Sequence, residues 1–390
     1  MLDRLVYLVY PLILVIAFWG AKFYGRKQWN EGAFSLQQMK MMQAFCAICI
    51  MLHHAGQKTC ASWLNPRYII PGLELFVPIG YFLVAVFLFC SGYGLYKSYL
   101  TKENYLQGFV KRRILPLVLG YYLSGAVYLL ARWLMGEKFT PWSLFCYISG
   151  IKLCNTNAWF VIALPIFYLA FYLAFRFCKN KNLALFFTIL TVFVYTWIGT
   201  AVNHNDYWMR GEWWYNSVHM FPVGLLFAKW EDKLVPRMKK WYPLRLFGAF
   251  LLMLLFYRFS VIAQNIWGYY GEDWGADHII LRRWGTLLTQ VAASYFFVAF
   301  LFLLGMKVRF GNKVLIFFSG ITLEFYLIHG VFVELFGFSF LDITKPLFYI
   351  KNVAAFVAVV SLLGIPSALL LKAMMNFILG EKKQEITKNG

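Results

Sequence analysis

Charge is what this sequence has least of. Of its 390 residues only 14% are charged while 61% are hydrophobic. Soluble domains average about 45 to 50% apolar residues, so a soluble globular fold is excluded and an all-α polytopic membrane protein is expected. Acidic residues are scarcer than basic ones, 17 Asp and Glu against 37 Lys and Arg, for a net charge of +20. A nucleic-acid binder would gather such cations on one soluble face. Here they fall in short clusters between apolar runs, a pattern of membrane topology first and of contacts with anionic lipid or ligand phosphates second. Polar linkers, low-complexity tracts and internal repeats are also missing, which leaves one main membrane domain. The first apolar run has no small-x-small cleavage site, since "AFWGAKFYGRK" leads directly into positive charge, so an uncleaved anchor is expected rather than a signal peptide. Cysteine is odd in number at seven. Cys46, Cys49, Cys90 and Cys178 lie in or beside apolar runs, as small buried side chains do. The Cys46 and Cys49 pair has redox spacing without a strand-to-helix context. Cys60, Cys146 and Cys154 fall in expected outer loops, where one disulfide is open to them. No metal is expected.

A helix needs about 20 mainly apolar residues to cross a bilayer. Eleven stretches qualify, near 4–20, 37–56, 72–96, 113–135, 157–178, 183–200, 216–230, 246–264, 284–305, 314–337 and 351–372. The 216–230 stretch is the shortest. With these spans, one side carries 25 of the 37 Lys and Arg and should be cytoplasmic, with the N-terminus outside and the C-terminus inside. The chain then divides into an N-terminal anchor and linker (1–35), a ten-helix membrane domain (36–375) and a cytoplasmic tail (376–390). The same topology gathers all six histidines toward the outer side, while fixed positive charge gathers on the inner one.

Four stretches could carry chemistry. In "QAFCAICIMLHH", the eleven residues from Gln43 to His54 make nearly three helical turns, so the two share a face roughly 16 Å apart. Lys40 lies on nearly the same side and His53 is turned about 100° away. An imidazole in this place is either an interfacial group bonded to headgroups or backbone, or a functional one. In "VFLFCSGYGLYKSY", Ser91, Gly92 and Gly94 allow close helix packing or open space for a ligand chain. In "FVKRRILP", Lys111, Arg112 and Arg113 stand at the cytoplasmic start of a span, where cations set topology but also suit phosphate. In "FSGITLEFYLIHG", Glu324 and His329 sit inside one span, and at five residues apart they point at different neighbours. Outer-loop tryptophans Trp208, Trp213, Trp214 and Trp274 suit stacking on sugar rings, although interfacial belts place the same residues there.

In this order, the pieces resemble the acyltransferase 3 family of bacterial ten-helix membrane acyltransferases. That family has a cation, ten residues and a His in its first core helix, similar to Gln43 to His54. The likeness continues through the Phe-rich Ser-Gly segment at Phe87 to Tyr93, Arg113 to Pro116, Trp159 and Phe160, Phe221 to Gly224, and Thr322, Tyr326, Leu327 and His329. It spans about residues 36 to 372. One departure is Gln43, where the family's pattern has a cation, so Lys40 takes over or the donor end of the site differs.

The resemblance implies transfer of an acyl group, often acetyl, from cytoplasmic acyl-CoA to a hydroxyl of an extracytoplasmic glycan or glycolipid, with the motif histidine, His54, catalytic. The physical reading agrees. A CoA head suits the basic rim of Lys40, Lys111, Arg112 and Arg113, with the thioester arm entering beside Ser91. An imidazole at the outer end then serves as general base, with Gln43, Tyr326 or Ser91 as oxyanion donor and Glu324 and His329 as further catalytic candidates. The competing reading is a proton-coupled transporter or lipid flippase using His54, Glu324 and His329, although no paired repeat supports it.

Overall fold

The computed structural model describes residues 2–267, 275–338 and 348–380, so Trp274 and the tail beyond residue 380 lie outside the described residues. The described chain is almost wholly helical. A 3-10 segment, Leu2–Leu8, leads into α1 (Val9–Phe18), followed by α2 (Leu36–Thr59), α3 (Gly80–Thr101) and α4 (Leu115–Leu134). A short α5 (Pro141–Ser149) precedes α6 (Trp159–Phe177), α7 (Lys181–Ala201), α8 (Met220–Lys239) and α9 (Tyr242–Trp267). The chain closes with α10 (Ile279–Gly305), α11 (Lys313–Ser319), α12 (Thr322–Phe336) and α13 (Val353–Leu379). Strand β1 (Lys22–Phe23) pairs antiparallel with β2 (Val308–Arg309).

Among the described residues, seven helices are long and apolar enough to cross a membrane, or eight if the bent pair α11 and α12 counts as one span. This is the all-α polytopic architecture that the composition implies. Helix α2 falls short on hydropathy because it carries Gln37, Gln38, Lys40, Gln43, His53 and His54. It is nevertheless the central helix, buried along most of its length and packed by α3, α11, α12 and α13. Its polar groups are thereby turned toward protein instead of lipid, the only arrangement hydrocarbon tolerates. Ser35 begins it by accepting a hydrogen bond from the Gln38 amide, a standard N-cap.

The N-terminal run is short for a span, yet it reaches across the bundle. Val6 packs on Gly72 in the connection before α3, and Asn312, in the connection after β2, donates to the Ile16 carbonyl at 2.8 Å. The 3-10 segment helps, since it rises about 2.0 Å per residue against 1.5 Å in an α-helix.

Several basic connections meet on one face of the bundle. The β1–β2 ladder joins two of them, Lys239 pairs with Glu31 at 3.0 Å, and the Lys307 ammonium sits 3.7 Å over the Trp29 ring. The charge count had grouped these same connections on one side.

Two spans differ from expectation. The 314–337 run is not one helix but two, α11 and α12, bent by 88°. The break falls at Gly320 and Ile321. Thr322 Oγ1 donates to the Phe318 carbonyl at 2.8 Å and Lys372 Nζ donates to that of Gly320, so backbone groups freed by the break find partners, as they must at membrane depth. The 216–230 span instead begins at Met220 and continues to Lys239. The residues before it, Trp214 to Val218, are tucked inside with at most 2% exposure. No disulfide forms: all seven cysteines are free, Cys60, Cys146 and Cys154 included.

Helices α3 and α8 cross closely because glycine meets backbone on both sides. A Cβ on Gly92 would overlap the Phe221 carbonyl oxygen, and one on Gly224 would overlap that of Phe89. Gly224→Ala is therefore expected to lower stability by about 1 to 3 kcal/mol, read as a drop in thermal midpoint in detergent. Gly94→Ala, with nothing within 4 Å of its Cβ, should leave the midpoint unchanged.

Candidate active site

His54 lies near the C-terminal end of α2, 7% exposed, and His329 lies on α12, fully buried. Their rings are nearly parallel, with centroids 5.0 Å apart and His54 Nδ1 2.8 Å from His329 Nε2. His329 Nδ1 is 2.6 Å from the Phe325 carbonyl one turn earlier on its own helix. A carbonyl only accepts, so His329 Nδ1 carries a proton, and in the neutral ring Nε2 then offers a lone pair. His54 must then donate from Nδ1. This leaves His54 Nε2 unprotonated, with no hydrogen bond to any described residue. The chain from carbonyl to His329 to His54 thus fixes the tautomer that a general base requires.

His53 is a different kind of residue. Its Nδ1 is 3.0 Å from the Phe76 carbonyl, its ring packs against Gly80 at the start of α3, and it leans on His54 with centroids 5.2 Å apart. It helps hold His54 in place. One turn outward of the pair, Lys58 bridges Glu334 at 3.0 Å.

Below the pair lies a cavity of about 290 Å³ between α2, α3, α4, α6 and the α11–α12 break. Lys40, Gln43, Ser91, Glu324 and Tyr326 all line it. Of the stripe Lys40, Gln43 and His54, the first two therefore face this space and His54 stands beyond its lining, while the break at Gly320 turns Glu324 into it. Tyr326 connects cavity and histidines, its ring centroid 6.5 Å from that of His329. Its hydroxyl donates to the Asn157 carbonyl at 2.5 Å, so it is already engaged, whereas the Gln43 amide makes no hydrogen bond among the described residues.

The basic triplet is not in the cavity wall. Residues Val110–Ile114 form a π-helical turn, a geometry often found at functional sites. Lys111 and Arg112 are exposed on it. Arg112 donates to the Tyr105 carbonyl at 2.8 Å and Arg113 to the Tyr105 hydroxyl at 3.0 Å. Arg113 also lies beside Tyr168, which does line the cavity, so the triplet stands next to the mouth rather than inside it. A further hollow of about 340 Å³, lined by Tyr24, Trp29, Glu31 and Arg309 among others, lies at the basic face with no histidine in its wall.

A family model described as an acyltransferase domain matches residues 36–371, from the first residue of α2 almost to the end of α13. The chain belongs to the acyltransferase 3 family. It is therefore a membrane acyltransferase, and the matched region contains the histidine pair and the whole cavity wall. No curated protein and no solved structure matches it.

Sequence reasoning missed several parts of this acyltransferase's site. The 2.8 Å contact between His54 and His329, 275 residues apart in the chain, was one. Tyr128 was another: its buried hydroxyl, without a partner among the described residues, lies against Gly330, next to His329. Asn155, whose amide holds the Leu327 carbonyl at 3.1 Å, also carried no motif.

Proposed function

We propose that this acyltransferase moves an acyl group, acetyl in the simplest case, from cytoplasmic acyl-CoA to a hydroxyl of an extracytoplasmic glycan or glycolipid. The observation that carries the reading is the 2.8 Å contact of His54 Nδ1 with His329, which leaves His54 Nε2 without a partner among the described residues, near a cavity lined by Lys40 and Gln43. In this scheme the basic face is cytoplasmic, with the N-terminus outside and the C-terminus inside. The nucleotide of CoA stays at the rim, where Lys40, Arg112 and Arg113 suit its phosphates. The cavity, at the small end of ligand pockets, takes the acyl-bearing arm.

The acceptor hydroxyl approaches from the outer side. Its oxygen attacks the thioester carbonyl while His54 Nε2 takes its proton, and the Gln43 amide donates to the developing oxyanion. As the tetrahedral carbon collapses, the carbon–sulfur bond breaks and the imidazolium returns the proton to the leaving CoA sulfur. His329 keeps the ring oriented and shares the positive charge.

Incubating the purified protein with radiolabelled acetyl-CoA and extracted envelope glycolipid tests the reading. Label is expected on the glycolipid. Absence of label with acetyl-CoA and with longer acyl-CoA donors alike would overturn it. Gln43→Leu is expected to lower the rate about 10²-fold, as removal of one oxyanion donor does, with little change in KM for acetyl-CoA.

A further inference from the structure

A second polar cluster lies apart from the histidine pair. Helix α10 carries Thr286, Gln290 and Ser294 at four-residue intervals, all 0% exposed. The hydroxyls of Thr286 and Ser294 and both amide atoms of Gln290 have no hydrogen-bond partner among the described residues. The same holds for both amide atoms of Asn216 and the hydroxyl of Ser217, each residue 1% exposed, on the segment preceding α8. Buried polar groups are nearly always paired with protein, water or ligand. So many in one region point to a wet space that something hydroxyl-bearing occupies.

Their placement is set by α7, which touches both elements. Arg283, on the α10 stripe that continues through Thr286 and Gln290, donates to the carbonyls of Thr200 at 3.1 Å and Val202 at 2.5 Å. His219 Nε2 is 3.4 Å from Thr196 Oγ1, and Tyr215 packs on Gly199. The α10 stripe and the 214–219 segment are thus both turned to the outer half of α7. The depth also matches the histidine pair. Met42 meets the Gly305 position at the inner ends of α2 and α10. His54 is twelve residues outward from Met42 and Ser294 eleven from Gly305, so both stand roughly 17 Å above that contact.

The unpartnered groups are the amides and hydroxyls above together with the Trp214 indole nitrogen and His219 Nδ1, and the guanidinium of Arg283 on the same stripe is engaged by the Thr200 and Val202 carbonyls. Such a set of neutral donors and acceptors matches the hydroxyls of a neutral sugar better than a phosphate. We propose that the space between the outer half of α7, the α10 stripe and the 214–219 segment is the acceptor subsite, and that its ligand is a neutral, polyhydroxylated sugar. This rests on the acyltransferase reading above for the word acceptor, while the sugar site itself stands on the polar cluster.

The test uses full-length protein in nanodiscs with 5-fluorotryptophan, the Trp214 resonance being assigned with Trp214→Phe. Titration with a panel of neutral methyl hexopyranosides should shift that resonance saturably for at least one of them. Gln290→Leu should weaken that binding tenfold or more while the acetyl-CoA dissociation constant stays within twofold. Ser294→Ala, a milder change, should weaken it severalfold. No saturable shift with any neutral glycoside, unchanged affinity in both variants, or tighter binding of glycerol 3-phosphate than of every glycoside would overturn the proposal. Gln290-dependent glycoside binding in a protein that transfers no acyl group would leave the sugar site standing and remove the acyltransfer scheme. Acyl transfer without such binding would do the reverse.

Discussion

His54→Ala should lower acyl transfer from acetyl-CoA by about 10² to 10⁴-fold, the usual contribution of a general base. In the proposed scheme the loss falls on kcat, because His54 lies outside the lining of the cavity that takes the acyl-bearing arm. His53→Ala should cost much less, since His53 bonds the Phe76 carbonyl and acts only through its neighbour. Initial rates over a range of acetyl-CoA concentrations separate the two. Equal losses for both variants, with the fold intact by thermal unfolding, would mean that His54 has no special role.

The second large effect concerns His329, a residue that touches no substrate in the scheme. Its ring is held by the Phe325 carbonyl and in turn holds the His54 proton on Nδ1. His329→Phe keeps an aromatic ring in the fully buried site but removes the acceptor, which frees His54 to take the other tautomer and place a proton where its lone pair is needed. A drop in kcat of up to about 10⁴-fold is expected, as when a catalytic histidine loses the group that sets its tautomer. His329→Gln, which can still accept through its carbonyl oxygen, should recover part of it. The pH profile adds a readout that packing loss would not change. In the native protein the rate should fall as pH drops, because a proton on Nε2 abolishes the base, and the midpoint of that fall should move in His329→Phe. A stability change alone would lower the rate without moving the midpoint.

Much of the fold was legible because its main signal is additive. Long apolar runs identify spans whatever their packing, and α3, α4, α6, α7, α9, α10 and α13 follow from them. The break between α11 and α12 was not legible, because it depends on Thr322 and Lys372 satisfying the freed backbone groups, which only the folded arrangement brings there. Within the site, the Lys40–Gln43–His54 stripe could be read from helical spacing alone. The facing of His329 toward His54 could not. It depends on the rotation of α12, which the 88° bend sets. The polar stripe at Thr286, Gln290 and Ser294 was present in the sequence at regular spacing. Small neutral side chains at such intervals are equally common as helix-packing contacts, so only their burial without partners distinguishes them.

The departure at Gln43 also takes on a physical sense. A cation there would face the cavity wall beside Lys40, with Glu324 across the same space. In the proposed scheme the amide instead donates to an oxygen that becomes negative during the reaction, and phosphate binding is left to the rim.

The most direct measurement of the central claim is sidedness in proteoliposomes. Radiolabelled acetyl-CoA supplied only on the side of the basic face should label glycolipid whose sugar lies on the opposite side, with His54→Ala abolishing the signal. Label confined to acceptor on the donor side, or transfer that persists undiminished in His54→Ala, would contradict the account.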